Sequence, residues 1–154
     1  MIEIKKEHYV DTIIYSIDRI IKGLKAELKN KLETLNIGIT GEQFIVLDTI
    51  CGTPNIYQQQ LSDIIMKDKS NTNRILKILE QKKLIRKEYG NVKNRLVYFL
   101  YATEEGKKIV EDNMPKIKQF ITEIFKNIDN GEIEILHKLS SKFQADLSLS
   151  IDNK

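Results

Sequence analysis

After Lys83 the chain changes period, and that change constrains the fold more than any other feature of the sequence. Up to Lys83, apolar residues recur at spacings of three and four, as they do on amphipathic helices. From Leu84 to Tyr89 and from Arg95 to Ala102 the chain is rich in Ile, Val, Tyr and Phe, which suits strands. The stretch Gly90-Asn91-Val92-Lys93-Asn94 between them is polar and turn-forming, so the pair reads as a β-hairpin. The helical period then returns. Two short helices followed by a hairpin is the order of a winged helix-turn-helix. The expected fold class is mainly α with a small β-hairpin wing, flanked at both ends by long helices.

The first of these runs through Val10, Ile13, Ile14, Ile17, Ile20, Ile21, Leu24, Leu28 and Leu32, one apolar stripe on a single face. A helix this long exceeds what a small core needs, so the stripe should pack on something extended, with a partner subunit as a candidate. Thr34 to Ile39, with Gly38, reads as a loop. Thr40 with Gln43 fits a capping box at the start of a second helix, whose apolar face is Phe44, Leu47, Ile50 and Cys51 and whose end is marked by Gly52 and Pro54. Asn55 with Gln58 repeats the capping pattern for a third helix, with Tyr57, Leu61, Ile64 and Ile65 as its buried face. Met66 to Lys69 is a polar break, and Ser70 is the expected cap of a fourth helix running to about Lys83.

Downstream, Thr103 should cap a helix carrying Ile109, Val110, Ile117, Phe120, Ile121, Ile124 and Phe125. Pro115 should kink or break it, because its ring blocks the bond to the preceding turn. Asp129-Asn130-Gly131 reads as a break. Ile133, Leu136, Leu139, Phe143, Leu147 and Ile151 then mark a final amphipathic helix.

On a helical wheel, the fourth helix places Thr72, Ile75, Leu76, Ile78 and Leu79 on one side. Ser70, Asn73, Arg74, Lys77 and Gln81 fall on the other, with one acid, Glu80, at the border. Such a face suits the major groove of DNA, where Arg grips guanine and Asn or Gln grips adenine through paired acceptors and donors. The N-terminal residues of a recognition helix do most of the reading. Ser70, Asn71, Asn73 and Arg74 are therefore expected at bases or nearby phosphates, with Lys77 and Gln81 further along. Thr72 is expected to face the core. The hairpin supplies Lys93 and Arg95 at its tip and Arg86 and Lys87 at its base. Arg95 is the first candidate for a narrow, electronegative minor groove, with Lys93 next and Asn94 in support.

The chain has 154 residues, 41% hydrophobic and 31% charged, enough for one core. Its net charge of +3 is mild, so the position of charge matters more than its sum. No signal-peptide pattern opens it, and no apolar run approaches the roughly 20 residues that span a bilayer. The expectation is a cytoplasmic protein with no membrane partner and no cofactor. No nucleophile–base pair, glycine-rich phosphate loop or metal-ligand array is visible, so an enzyme has little support.

The segments Leu61 to Ile65 and Asp68 to Arg86 resemble the core of the MarR family of bacterial winged helix-turn-helix transcription regulators. The Leu79-Glu80 pair followed by Leu84-Ile85-Arg86 is the most telling part. Ala102-Thr103-Glu104-Glu105-Gly106 resembles the Leu-Thr-x-x-Gly that ends the family's wing, and Thr40 to Ile50 matches its second helix. The likeness covers nearly the whole chain in element order and residues 57–106 in pattern. It implies one MarR-like domain over 1–154: a DNA-binding lobe at 40–102, with residues 1–33 and 103–151 as dimerisation helices. It further implies a homodimer on a pseudo-palindromic site in double-stranded DNA, commonly a repressor relieved by a small ligand or by oxidation. An effector pocket between lobe and dimer helices would involve Tyr15, Asp18, Arg19 and Phe44. One departure stands out. The family's wing commonly carries Asp-Arg-Arg, whereas this chain has Asn94-Arg95-Leu96, without the Asp that helps hold the wing arginine.

Cys51 reads either as a redox sensor or as a small buried hydrophobe, the commoner role. His8 and His137 lie far apart. Glu134 and His137 have ligand-like spacing for zinc, though isolated instances arise by chance. An alternative to DNA binding is a winged-helix module that grips a protein with the same surface.

Overall fold

A computed structural model describes residues 8, 9 and 12–152, with side chains to residue 147. Val10 falls outside the described residues, as does the side chain of Ile151. Six helices and one hairpin follow in order: α1 (Ile13–Thr34), α2 (Gly41–Gly52), α3 (Gln58–Ile65), α4 (Lys69–Gln81), β1 (Ile85–Val92), β2 (Arg95–Ala102), α5 (Glu104–Ile124) and α6 (Asn130–Asp152). They form two compact units that divide between Ile117 and Lys118, within α5.

In the first unit, Leu47, Leu61, Ile75, Leu76, Leu79 and Leu100 are almost wholly buried, so α2, α3, α4 and the base of the hairpin share one core. Each such side chain contributes roughly 1.5–3 kcal/mol relative to exposure. The capping box predicted for α2 is present: the Thr40 hydroxyl accepts from the Gln43 N–H at 3.3 Å, and the Gln43 side chain accepts from the Thr40 N–H at 3.1 Å. Thr72 faces the core as expected. Its hydroxyl donates to the Asp68 carbonyl at 3.0 Å, which satisfies the buried group. Only the last turns of α1 join this core, through buried Leu32 and half-buried Leu28. Leu24 is half-buried, and Ile13, Ile14, Ile17, Ile20 and Ile21 are exposed in the single chain.

Several local expectations are corrected. Asn55 does not cap α3. Its backbone turns through the left-handed region (φ 55°), and Ile56 and Tyr57 run extended beside β2, where the Leu100 N–H donates to the Ile56 carbonyl at 2.8 Å. The helix starts after Tyr57, whose N–H donates to the Gln60 side chain at 3.3 Å. Pairing with the sheet outweighs the local capping signal. Ile64 is exposed rather than buried: the covered face of α3 runs through Leu61, Ser62 and half-buried Ile65, and Ile64 falls about 110° round the helix from it. Ser70 does not cap α4. Asp68 does, its carboxylate accepting from the Asn71 N–H at 2.8 Å, and the helix ends at Gln81.

The predicted five-residue turn is also shorter than expected. β1 continues through Val92, which pairs with Arg95, leaving only Lys93 and Asn94 to turn the chain. Both have positive φ, 48° and 61°, the mirror-image turn that matches the twist of a hairpin. Pro115 lies inside α5 and does not break it.

In the second unit, Asp129-Asn130-Gly131 is the start of a helix rather than a break. The Asp129 carboxylate accepts from the Glu132 N–H at 2.9 Å, and the Glu132 carboxylate accepts from the Asp129 N–H at 3.0 Å. This reciprocal cap opens α6. Its apolar residues Leu136, Leu139, Phe143 and Leu147 are exposed.

Candidate nucleic-acid interface

The buried face of α4 dictates what its other face presents. With Thr72, Ile75, Leu76 and Leu79 in the core, residues 70, 73, 74, 77 and 81 are turned outward, and all five are exposed. Asn71 is half-buried at the edge. Thirteen residues at 1.5 Å each give a rod of about 20 Å, long enough to lie across several base pairs. The border acid is neutralised: Lys87 of β1 holds the Glu80 carboxylate at 2.6 Å.

Arg74 is the most constrained member of this face. Its Nη2 donates to the Asn71 side-chain oxygen at 3.0 Å and lies 4.0 Å from Oε2 of Glu42, in the first turn of α2. The other oxygen of Glu42 accepts from Lys67 at 2.6 Å. That hydrogen bond, reinforced by the charges of Lys67 and Arg74, holds the Glu42 carboxyl below its ordinary pKa.

The wing presents Lys93, Asn94 and Arg95 together at its exposed tip. Asn tolerates the left-handed region better than most residues with a β-carbon, so Asn94 suits the second position of the turn. Behind the tip, two aromatic contacts stiffen the ribbon on opposite faces. Tyr98 donates to the Tyr89 hydroxyl at 2.8 Å, with ring centroids 4.5 Å apart. On the other face, the Phe99 ring covers Gly90 and meets Tyr57 edge-on at 6.3 Å. At the base, Arg86 pairs with Glu88 and lies over the Tyr101 ring at 4.7 Å.

A cleft of about 660 Å³ opens between α1, α2 and α4. Leu28, Leu32, Ile45 and Val46 give it an apolar wall, and Lys25, Lys29, Lys67 and Arg74 bring positive charge. None of Tyr15, Asp18, Arg19 and Phe44 lines it. Phe44 is buried in the core, Asp18 pairs with Lys22 at 2.7 Å, and Tyr15 packs edge-on against Tyr9. Only the end of α1 reaches α2, and residues 15–19 stand about two and a half to three and a half turns before Leu28 on that rod.

Sequence reasoning missed Glu42, Lys67 and the Tyr89–Tyr98 pair. A tyrosine on each predicted strand was a signal for the last, but pairing them needs the register. Cys51 is half-buried, and burial, with the nearby Asp48 charge, pushes its thiol pKa up. His8 and His137 join no cluster: among the described residues no group of three or more His, Cys, Asp or Glu side chains is placed to hold a metal ion. Among the same residues no helix is long and apolar enough to cross a membrane.

The profile of the MarR family matches residues 37–91, from the loop before α2 into β1. The chain is 30% identical over 80 residues to the HTH-type transcriptional regulator YybA of Bacillus subtilis (strain 168). That match covers 52% of this chain and 53% of YybA, so it spans about half the length of that relative. Among solved structures, it resembles a MarR transcriptional regulator from Methanosarcina mazei Go1, with a TM-score of 0.71, 27% identity and coverage of 89% of this chain and 97% of that one. It also resembles the S. aureus MepR–DNA complex, with a TM-score of 0.74, 21% identity and coverage of 88% and 98%. At that identity the MepR likeness bears on the fold.

Proposed function

We propose, from the premise that this chain belongs to the MarR family of transcription regulators, that it is a homodimeric, sequence-specific DNA-binding protein acting as a repressor in the cytoplasm. The observation that carries this reading is the polar, cationic face of α4 beside a basic wing tip, with the border acid Glu80 neutralised by Lys87. Ser70, Asn71, Asn73 and Arg74 read base edges in the major groove, and Lys77 and Gln81 extend the contact. Arg95, with Lys93 and Asn94, enters the adjoining minor groove or grips its phosphates. Cationic contacts to phosphate supply most of the affinity and its dependence on salt.

A second copy of the chain covers the exposed apolar faces of α1 and α6. Leaving five isoleucines of one helix in water is unfavourable at roughly 25 cal/mol per Å², and a two-fold partner presents the same faces in return. Two recognition helices then meet successive major grooves, about 34 Å apart. The cleft beside Arg74 is the proposed effector site, with room for a small amphipathic anion. An occupant there shifts α4 against α1 and spoils the spacing.

Selection of bound duplexes from a random pool tests the reading. It should return an inverted repeat with half-sites about one helical turn apart. A pool left unenriched after repeated rounds would instead favour the protein-binding module.

A further inference from the structure

We propose that Glu42 is a positioning residue that tempers DNA affinity by drawing Arg74 toward α2, so that the α4 face offers less free positive charge to any duplex. The role rests on the DNA-binding reading above.

Glu42 is well placed for it. The Thr40–Gln43 capping box fixes the first turn of α2 around it. One carboxylate oxygen is anchored by Lys67 at 2.6 Å, while the other lies 4.0 Å from Nη2 of Arg74. That same nitrogen donates to Asn71 at 3.0 Å. Arg74 thus stands between an acceptor on its own helix and a charge on another, on the wall of the cleft.

Exposed ion pairs of this kind are weak. Weakness suits the role, since DNA can release the arginine. Once released, Arg74 can take a phosphate on an arbitrary duplex or a two-pronged contact to guanine on the right one. Freeing Arg74 from Glu42 costs the same on every duplex, so the pair lowers affinity for all of them alike and leaves the preference between them to the base contacts themselves. Glu42 also keeps its own negative charge beside the groove, which opposes binding to phosphate in general.

The test uses the full chain, a random duplex, and the best duplex from the selection above, titrated by fluorescence anisotropy over a range of salt. Glu42→Gln should bind the random duplex several-fold more tightly, with a salt slope steeper by roughly 0.9 as one cation is released to phosphate. Its affinity for the selected duplex should rise by a similar factor, and Glu42→Asp should return both toward the parent values. In an Arg74→Ala background the Glu42→Gln effect should largely vanish, because a coupled pair is not additive. Unchanged or weaker random-duplex binding by Glu42→Gln overturns the role, as does an effect of full size without Arg74. The Arg74 Nε–H resonance of the free protein should shift in Glu42→Gln, and no shift there also overturns the role. If the wild-type chain binds no duplex, the DNA reading and this role fall together. A shifted resonance would then show that the Glu42–Arg74 contact itself is real.

Discussion

The α-carbon of Gly106 lies against the backbone carbonyl of Leu84, with no room for a β-carbon between them. That carbonyl also accepts from the Thr103 N–H at 3.0 Å. The Thr103 hydroxyl donates to the Lys83 carbonyl at 2.8 Å and accepts from the Gly106 N–H at 3.1 Å. The Thr-x-x-Gly segment is therefore a clasp that ties the start of α5 to the junction of α4 and β1. Gly106→Ala should cost about 1–3 kcal/mol, since backbone must move to admit the methyl group. Urea unfolding measures it, and an unchanged midpoint would show that the clasp is looser than its geometry.

Asp68, rather than Ser70, caps the recognition helix. Asp68→Ala should therefore lower stability by about 1 kcal/mol, the usual worth of a side-chain cap, and fray the turn that carries Asn71. Ser70→Ala should change stability little while weakening DNA binding. The reverse pattern in urea unfolding would return the cap to Ser70.

Ile20 and Leu139 are 60% and 45% exposed in the single chain. Ile20→Glu and Leu139→Glu should each yield monomers, in sedimentation runs at concentrations where the parent chain is a dimer. A placed charge should tolerate water and not a desolvated interface. If both variants keep the parent's mass, the dimer uses other surfaces.

Arg74→Ala should lose about 1–3 kcal/mol of affinity for the selected duplex and relax preference at one position of each half-site. Lys93→Ala should weaken binding to all duplexes alike and reduce the salt slope by roughly 0.9. Salt titrations on both variants separate these outcomes. Equal loss on every duplex for Arg74→Ala would make it a phosphate contact.

Burial and Asp48 raise the Cys51 thiol pKa. A raised pKa leaves less thiolate at neutral pH, and thiolate is the reactive form. Alkylation of Cys51 should therefore be slower than that of a free thiol near pH 7 and accelerate only above the ordinary thiol range. A rate at neutral pH matching or exceeding that of a free thiol would restore the redox-sensor reading.

Periodicity made the element order legible, and the polar face of α4 followed from it. Thr72 against the core and the Thr40–Gln43 box could be read because each depends on residues within one turn. What stayed hidden depends on distant partners. Asn55 looked like a cap until Ile56 and Tyr57 paired with β2, more than forty residues on. The turn looked long because Gly90 and Asn91 favour turns, yet the Phe99 ring fills the space that Gly90 leaves, and the strand continues. Glu42 meets Lys67 and Arg74 across 25 and 32 positions, a distance at which sequence spacing carries no signal.

The function proposed for this chain stands on α4 and the wing reading DNA. Fluorescence anisotropy of the purified chain against its selected duplex and a random one, across several salt concentrations, tests it most directly. Tighter binding to the selected duplex, affinity that falls steeply with salt and two chains per duplex are expected. Equal, weak and salt-insensitive binding to both duplexes would contradict it.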